Sequence, residues 1–277
     1  MFPRILNPQN MLFLLSILFL STSSAARNKL NDTINSVVEI KVISYNIHHA
    51  NPPSQPDSID IDAIVRVIKD QDADLVALQE VDSGTERSGE GNQAAMIAEK
   101  LNMYFYFSKA LNFNGGEYGN AILSKYPIEE AETHPLPNDP EADTEDRVMA
   151  TGKIRLPGGN KIIFASTHLD YKANSPSRIR QLKRILEIVE KMNLPVILAG
   201  DFNDVPGSET IDLLTSAFRL SCNNCPPTIP VIAPSRAIDF IAYKHPQQKF
   251  STKAHKVIEE TYASDHRPVF ALIELLK

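Results

Sequence analysis

Six short segments of the chain place a hard-oxygen or imidazole side chain at the edge of an apolar run. Asn46 closes "EIKVISYN", and Glu80 falls in "LQEVD". His168 lies in "STHLD", and Asp201 and Asn203 lie in "LAGDFND". Asp239 opens "DFIAY", and Asp265 and His266 sit in "ASDHRP". Carboxylates and amides at the end of a hydrophobic strand are costly to desolvate unless something uses them. As ligands they are hard and suit Mg²⁺ or Mn²⁺ better than a thiolate-loving metal, and Glu80 is the best single candidate. Two histidines beside a phosphate can donate hydrogen bonds or carry protons, and an Asp next to a His favours its cation. A metal, a base for water and donors for the oxyanion are what hydrolysis of a phosphate ester needs. A zinc protease is excluded by its spacing, because no H-E-x-x-H occurs and the histidines are scattered.

The elements that must position these groups are legible as alternating strands and helices. Strands are expected over residues 39–46, 73–81, 103–110, 119–126, 147–156, 161–170, 195–203, 237–243 and 268–276. Ile61, Ile64, Val65 and Ile68 recur at i, i+3, i+4 and i+7, which predicts a helix over 59–71. Further helices are expected over 93–101, 175–192 and 207–218, the third with Ser175 as N-cap and Pro176 at the first helical position. Pro157-Gly158-Gly159 reads as a hairpin turn. The acidic, proline-containing run from Glu129 to Asp146 reads as a loop, and the basic cluster of Arg178, Arg180, Lys183 and Arg184 as a solvated helix face. The mixture suggests two packed sheets with helices outside, in one domain. In such folds the loops at one rim of the sheets build the site.

With these residues in this order, the sequence resembles the endonuclease/exonuclease/phosphatase (DNase I-like) superfamily. The resemblance rests on Asn46, QE (79–80), THL (167–169), GDFN (200–203), IDF (238–240) and SDHRP (264–268), and covers essentially residues 38 to 275. It implies an α/β, four-layered α-β-β-α sandwich. It also implies a Mg²⁺- or Mn²⁺-dependent hydrolase of phosphate esters that acts by in-line attack of water. Glu80 would bind the metal, with Asn46 beside it and Asp265 in support. Asp201 would orient or deprotonate the water, and Asn203 would hold that water or a phosphate oxygen. His266, paired with Asp239, would act as base or phosphate clamp, and which of Asp201 and His266 takes the proton is left open. His168 would contact the phosphate and steady the leaving oxygen. Arg147 would brace the site, Tyr118 would lie near the substrate, and Glu117 would orient His168. Asp82 reads as an outer or loop group.

The segments "VISYNIHHA", "LQEVDSGTERSG" and "EYGNAILSKYPI" look most like compact bacterial members. They also look like the related domain in proteins that remodel glycosylphosphatidylinositol lipids. That likeness favours a phosphodiester in a lipid headgroup or small nucleotide. An exported nuclease is the runner-up, ahead of a phosphomonoesterase or an inactive binding module. The chain of 277 residues has a formal charge of −6, no Trp and no dense basic arm, which weighs against duplex DNA without excluding nucleic acid.

Arg4, the apolar run Met11–Leu20 and the small residues STSSAA read as a signal peptide over residues 1–26, cleaved after Ala25 or Ala26. The run is short of the roughly 20 apolar residues that span a bilayer. Cleavage removes one arginine and moves the formal charge from −6 to −7. Residues 27–36 form a polar segment, and the domain runs from 37 to 277. A periplasmic or extracellular monomer is expected, with no membrane span in the mature chain and with a disulfide between Cys222 and Cys225.

Overall fold

In "VEIKVISYN" and "LVALQEVDS" the interior positions are almost all apolar, the pattern of strands covered on both faces. The computed structural model describes residues 37–139, 144–173, 176–244 and 250–276. The leader, the polar segment 27–36 and Ser175 lie outside these residues. β1 (Val38–Asn46) and β2 (Leu75–Ser83) are parallel, with Asn46 opposite Gln79. Parallel neighbours need a crossover. It is α1 (Ile61–Asp70), whose N-cap Asp60 accepts a hydrogen bond from Ala63 N at 2.8 Å. Ile64 and Ile68 of α1 pack with Tyr45, Leu78 and Ile97, the last from α2 (Gln93–Leu101).

The chain builds the same unit again. β7 (Lys161–His168) and β8 (Val196–Asp201) are parallel, with His168 opposite Asp201, and α3 (Pro176–Glu190) crosses between them. Leu182, Ile185 and Val189 of α3 and Leu214 of α4 (Glu209–Thr215) cover this second sheet. The remaining strands are β3 (Tyr104–Phe113), β4 (Gly116–Ser124), β5 (Ile128–Leu136), β6 (Arg147–Arg155), β9 (Arg219–Leu220), β10 (Asp239–Lys244), β11 (Phe250–Val257) and β12 (Val269–Leu275). They complete two six-stranded sheets, ordered β11-β12-β1-β2-β4-β3 and β5-β6-β7-β8-β10-β9. The sheets face each other closely. Gln79 Nε2 donates to Ser166 Oγ at 3.1 Å, and a Cβ on Gly152 would lie 2.7 Å from Ile122 Cδ1. With α1 and α2 outside one sheet and α3 and α4 outside the other, the expected α-β-β-α sandwich is observed. Residues Glu39–Leu275 make one compact unit. Among the described residues no helix is long and apolar enough to cross a membrane.

Three expectations change. The acidic run begins as strand β5, not as a loop, and forms an edge of the second sheet. Its charge misleads because Glu129 pairs with Arg155 and Lys161, and Glu130 with Lys153, across the sheet's outer rim. Pro135 is tolerated because an edge strand needs no ladder on its free side. β11, unread in the sequence, is the opposite kind of edge, with a polar alternation that carries little apolar signal. Arg178 is buried rather than solvated: it donates to Asp204 and to the carbonyls of Asp170 and Lys172, tying α3 to the loop after β7. Cys222 and Cys225 are joined by a disulfide.

Candidate active site

Ligand sites in α/β sheets lie beyond the carboxyl ends of parallel strands. Here two such ends meet. Asn46 ends β1, Glu80 lies near the end of β2, His168 ends β7 and Asp201 ends β8. Asp239 opens β10 directly opposite Asp201, and His266 precedes β12. A cleft of about 280 Å³ is lined by Glu80, Arg147, His168, Asp201, Asn203 and His266, with Tyr118 beside them.

Backbone distortion aims two of these side chains. Glu80 sits in a β-bulge, where the β2–β4 register slips between Leu78 and Val81, and its φ is +56°. Asn203 has φ +52° just past β8. Bulges and left-handed residues re-aim side chains at a cost, and they cluster at functional sites.

Asn46 holds the two sheets' carboxylates together. Its Nδ2 donates to Glu80 Oε1 at 3.0 Å and to Asp201 Oδ2 at 3.2 Å, while its Oδ1 accepts from His48 N at 3.0 Å. The His48 amide fixes this orientation of the amide group. Asn46 therefore presents a donor here and positions Glu80 and Asp201.

Asp201, Asp239 and His266 form a buried triad. Asp239 Oδ2 accepts from His266 Nδ1 at 2.9 Å and from Thr228 Oγ1 at 2.5 Å. His266 Nε2 faces Asp201 Oδ2 at 3.7 Å. Burial, and then the charge of Asp239, pushes the Asp201 pKa up to about 7. Burial alone would lower that of His266, but Asp239 and Asp201 override it and raise it to about 10. His266 is therefore a cation at neutral pH, and Asp201 titrates there.

His168 is different. It is 4 % exposed, and burial, Arg147 and His266 all hold its pKa well below the ordinary value. Asn203 Nδ2 donates to Leu169 O at 3.0 Å and faces His168 Nε2 at 3.0 Å. The Leu169 carbonyl sets that amide, so Nε2 accepts and Nδ1 carries the proton. Arg147 is also buried, with Nη2 3.0 Å from Glu145 and a hydrogen bond to the Tyr118 hydroxyl, and its buried Nε has no partner among the described residues.

Four assigned residues do not line the cleft: Asn46 and Asp239, which are buried and bonded to residues that do, and Glu117 and Asp265. Glu117 does not orient His168. It pairs with Lys109 at 2.9 Å on a half-exposed surface, because strand alternation turns it to the face opposite Tyr118. Asp265 has its Oδ1 3.4 Å from Ser264 Oγ and is not among the lining residues. Five lining residues were unassigned in the sequence: Arg87, Leu111, Phe113, Glu145 and Tyr171. Only Arg87 had a signal, its place in "QEVDSGTERSG".

The donor set fits a hard divalent cation. Three carboxylates converge, Asp201 is pushed toward protonation, and Asp239 Oδ1 is buried without a partner among the described residues. Asp201, Asp239 and His266 offer ligand atoms within 4.8 Å of one another. Asp239 Oδ2 is already engaged by His266 and Thr228, however, so Glu80 and Asp201 are the better pair.

Gly200 shows how tightly the strand ends are set. A Cβ there would lie 2.1 Å from Thr167 O, and Thr167–Gly200 is the register pair next to His168–Asp201. Gly200→Ala should cost at least about 2 kcal/mol of stability, the scale of core overpacking, and shift both active-site side chains. Chemical denaturation and steady-state kinetics would check this, and an unperturbed variant would contradict the close approach.

A pH dependence follows for the metal-free protein. The stabilisation from His266 is complete below its ordinary 6.5 and is lost as pH rises through about 10. That from Asp201 is complete below its ordinary 3.8 and is lost as pH rises through about 7. Both act in the same direction, so the melting temperature should fall by about 5 °C or more between roughly pH 6 and 9.5. Scanning calorimetry on the wild type and on His266→Gln, which should flatten the upper part of that fall, would test it.

Fold and site together define a phosphate-ester hydrolase of the DNase I-like class. The chain belongs to the Endonuclease/Exonuclease/phosphatase family, whose profile matches residues 43–266. It is similar to YbhP of Escherichia coli (strain K12), described as an uncharacterized protein, at 27% identity over 250 residues, spanning 85% of this chain and 96% of YbhP. Among solved structures, a family protein of Bacteroides thetaiotaomicron matches with a TM-score of 0.73 at 20% identity, over 87% of this chain and 99% of that one. The mannosyl-6-phosphatase Bt3783 of the same species matches with a TM-score of 0.69 at 20% identity, over 84% and 99%.

Proposed function

We propose that the chain is an exported, Mg²⁺- or Mn²⁺-dependent phosphodiesterase that hydrolyses a lipid headgroup or a small nucleotide. One observation carries the reading: acid, amide, imidazole and guanidinium groups from five separate segments line a single cleft of about 280 Å³. Glu80 and Asp201 would hold the cation, which supplies charge to the ester's oxygens and to the attacking water. The imidazolium of His266 and the buried Arg147 face the same cleft and bind the phosphate. Asp201, buried and facing His266, takes the proton from water. His266 cannot serve as that base while Asp239 keeps it protonated. Asn203 places the water or a phosphate oxygen, and neutral His168 steadies Asn203 through Nε2.

The test is direct. Residues 27–277 are offered bis-(p-nitrophenyl) phosphate with Mg²⁺, with Mn²⁺ and with EDTA, beside His266→Ala. Metal-dependent release above the variant supports the hydrolase, whereas its absence points to a binding module. A panel of sphingomyelin, phosphatidylinositol, inositol phosphates, mannose 6-phosphate, RNA and plasmid DNA then ranks substrates. Plasmid DNA as the best substrate would replace the headgroup reading with the nuclease.

A further inference from the structure

One wall of the cleft plays no part in the chemistry above. It is formed by Arg87, Leu111, Phe113 and Tyr118. Arg87 Nε and Nη2 donate to Asp82 Oδ2 and Oδ1 at 2.7 and 2.9 Å, a two-pronged fork. Asp82 is fully buried, and its Oδ2 also accepts from Thr85 Oγ1 at 2.8 Å and Ser88 Oγ at 2.6 Å. The Arg87 guanidinium carbon stands 4.4 Å from the Phe113 ring centroid and 5.8 Å from that of Tyr118. The turn after β2 is thus folded around one carboxylate that locks one guanidinium. The fork leaves Nη1 outside it, and the Arg87 side chain is 31 % exposed beside the cleft that holds Glu80 and Arg147.

Such a lock is hard to explain as a stability device. Burying a carboxylate beside a guanidinium costs desolvation that the attraction hardly exceeds, and an apolar side chain would cover Phe113 as well. As a recognition device it makes sense. An immobilised, planar guanidinium has given up its rotamer freedom before a ligand arrives, and its geometry matches a phosphate or carboxylate. The phosphate undergoing hydrolysis already has Arg147, His266 and Asn203. The acid on the same cleft, Glu145, is engaged by Arg147 Nη2 at 3.0 Å. The negative charge of Asp82 is shared among four donors.

We infer that Arg87 determines specificity by recognising a second anionic group, a phosphate or carboxylate carried by the part of the substrate that rests against Phe113. This rests on the phosphodiester reading and narrows it to esters with two negative groups.

The experiment measures binding by calorimetry in EDTA, so that no turnover is needed. Two matched pairs are used: glycerophosphoinositol with and without a 4-phosphate, and the p-nitrophenyl ester of thymidine 5′-phosphate with and without a 3′-phosphate. The wild type should bind the member with two anionic groups in one pair at least about tenfold more tightly, the scale of one charge-assisted clamp, and that pair names the source. Arg87→Gln should bring the ratio to within about threefold of unity, and Arg87→Lys, a charge without a fork, should fall between. Arg87→Lys and the wild-type ratio carry the test if the Gln variant melts early. A wild-type ratio near one in both pairs overturns the inference. So does an Arg87→Gln variant that weakens both members equally. A wild type that prefers the ligands with two anionic groups yet hydrolyses none of the substrate panel would reject the hydrolase and keep the anion site.

Discussion

Asp201→Asn should lower turnover at least about a hundredfold, the scale of a lost general base, without lowering the melting temperature of the metal-free protein at pH 8. The two halves of that result have different causes. Turnover fails because the amide cannot take a proton from water at the centre of the cleft. Stability survives because the folded site already disfavours the Asp201 charge: the side chain is buried and faces Asp239 across the β8–β10 pair. The bond from Asn203 N to Asp201 Oδ1, 2.8 Å long, can be kept by the amide oxygen, and loss of the 3.2 Å bond from Asn46 Nδ2 to Oδ2 is offset by removal of the disfavoured charge. Kinetics on a diester and scanning calorimetry would read both halves. A variant that loses activity and more than about 5 °C together would recast Asp201 as a structural keystone.

Glu80→Ala should be comparably damaging, at least about a hundredfold in turnover, by a different route. Glu80 is half-exposed in the cleft and contributes to neither of the two helix-facing apolar clusters, so the fold should persist. The effect should instead show as weaker binding of Mn²⁺, by at least about tenfold in calorimetry, as expected when a principal carboxylate ligand is removed. Unchanged Mn²⁺ affinity with lost turnover would move the cation to Asp201, Asp239 and His266, whose ligand atoms lie within 4.8 Å of one another.

Much of this site was legible because its residues end strongly apolar strands. Val196, Ile197 and Leu198 announce β8, and the polarity of Asp201 stands out against them. The same contrast marks Asn46, Glu80 and His168. The directions of side chains were not legible. That Asn46 offers its nitrogen depends on the amide of His48, and that Glu117 points away from His168 depends on the pairing of β3 and β4. Edge strands were hard for a related reason. β5 and β11 each have a face that needs no apolar residues, so neither produces the pattern of a buried strand. Arg87 was visible in the letters but had no meaning until Asp82 was seen buried behind it.

The bulge at Glu80 has an evolutionary corollary. A glutamate at φ +56° is strained, and glycine would adopt the same conformation freely. Selection for heat resistance alone would therefore pull this position toward glycine and, on the proposed mechanism, remove the cation's carboxylate. Relatives that have drifted that way should be hardier and inert, and an acid kept at this point of the second strand marks a lineage still under pressure to turn over substrate.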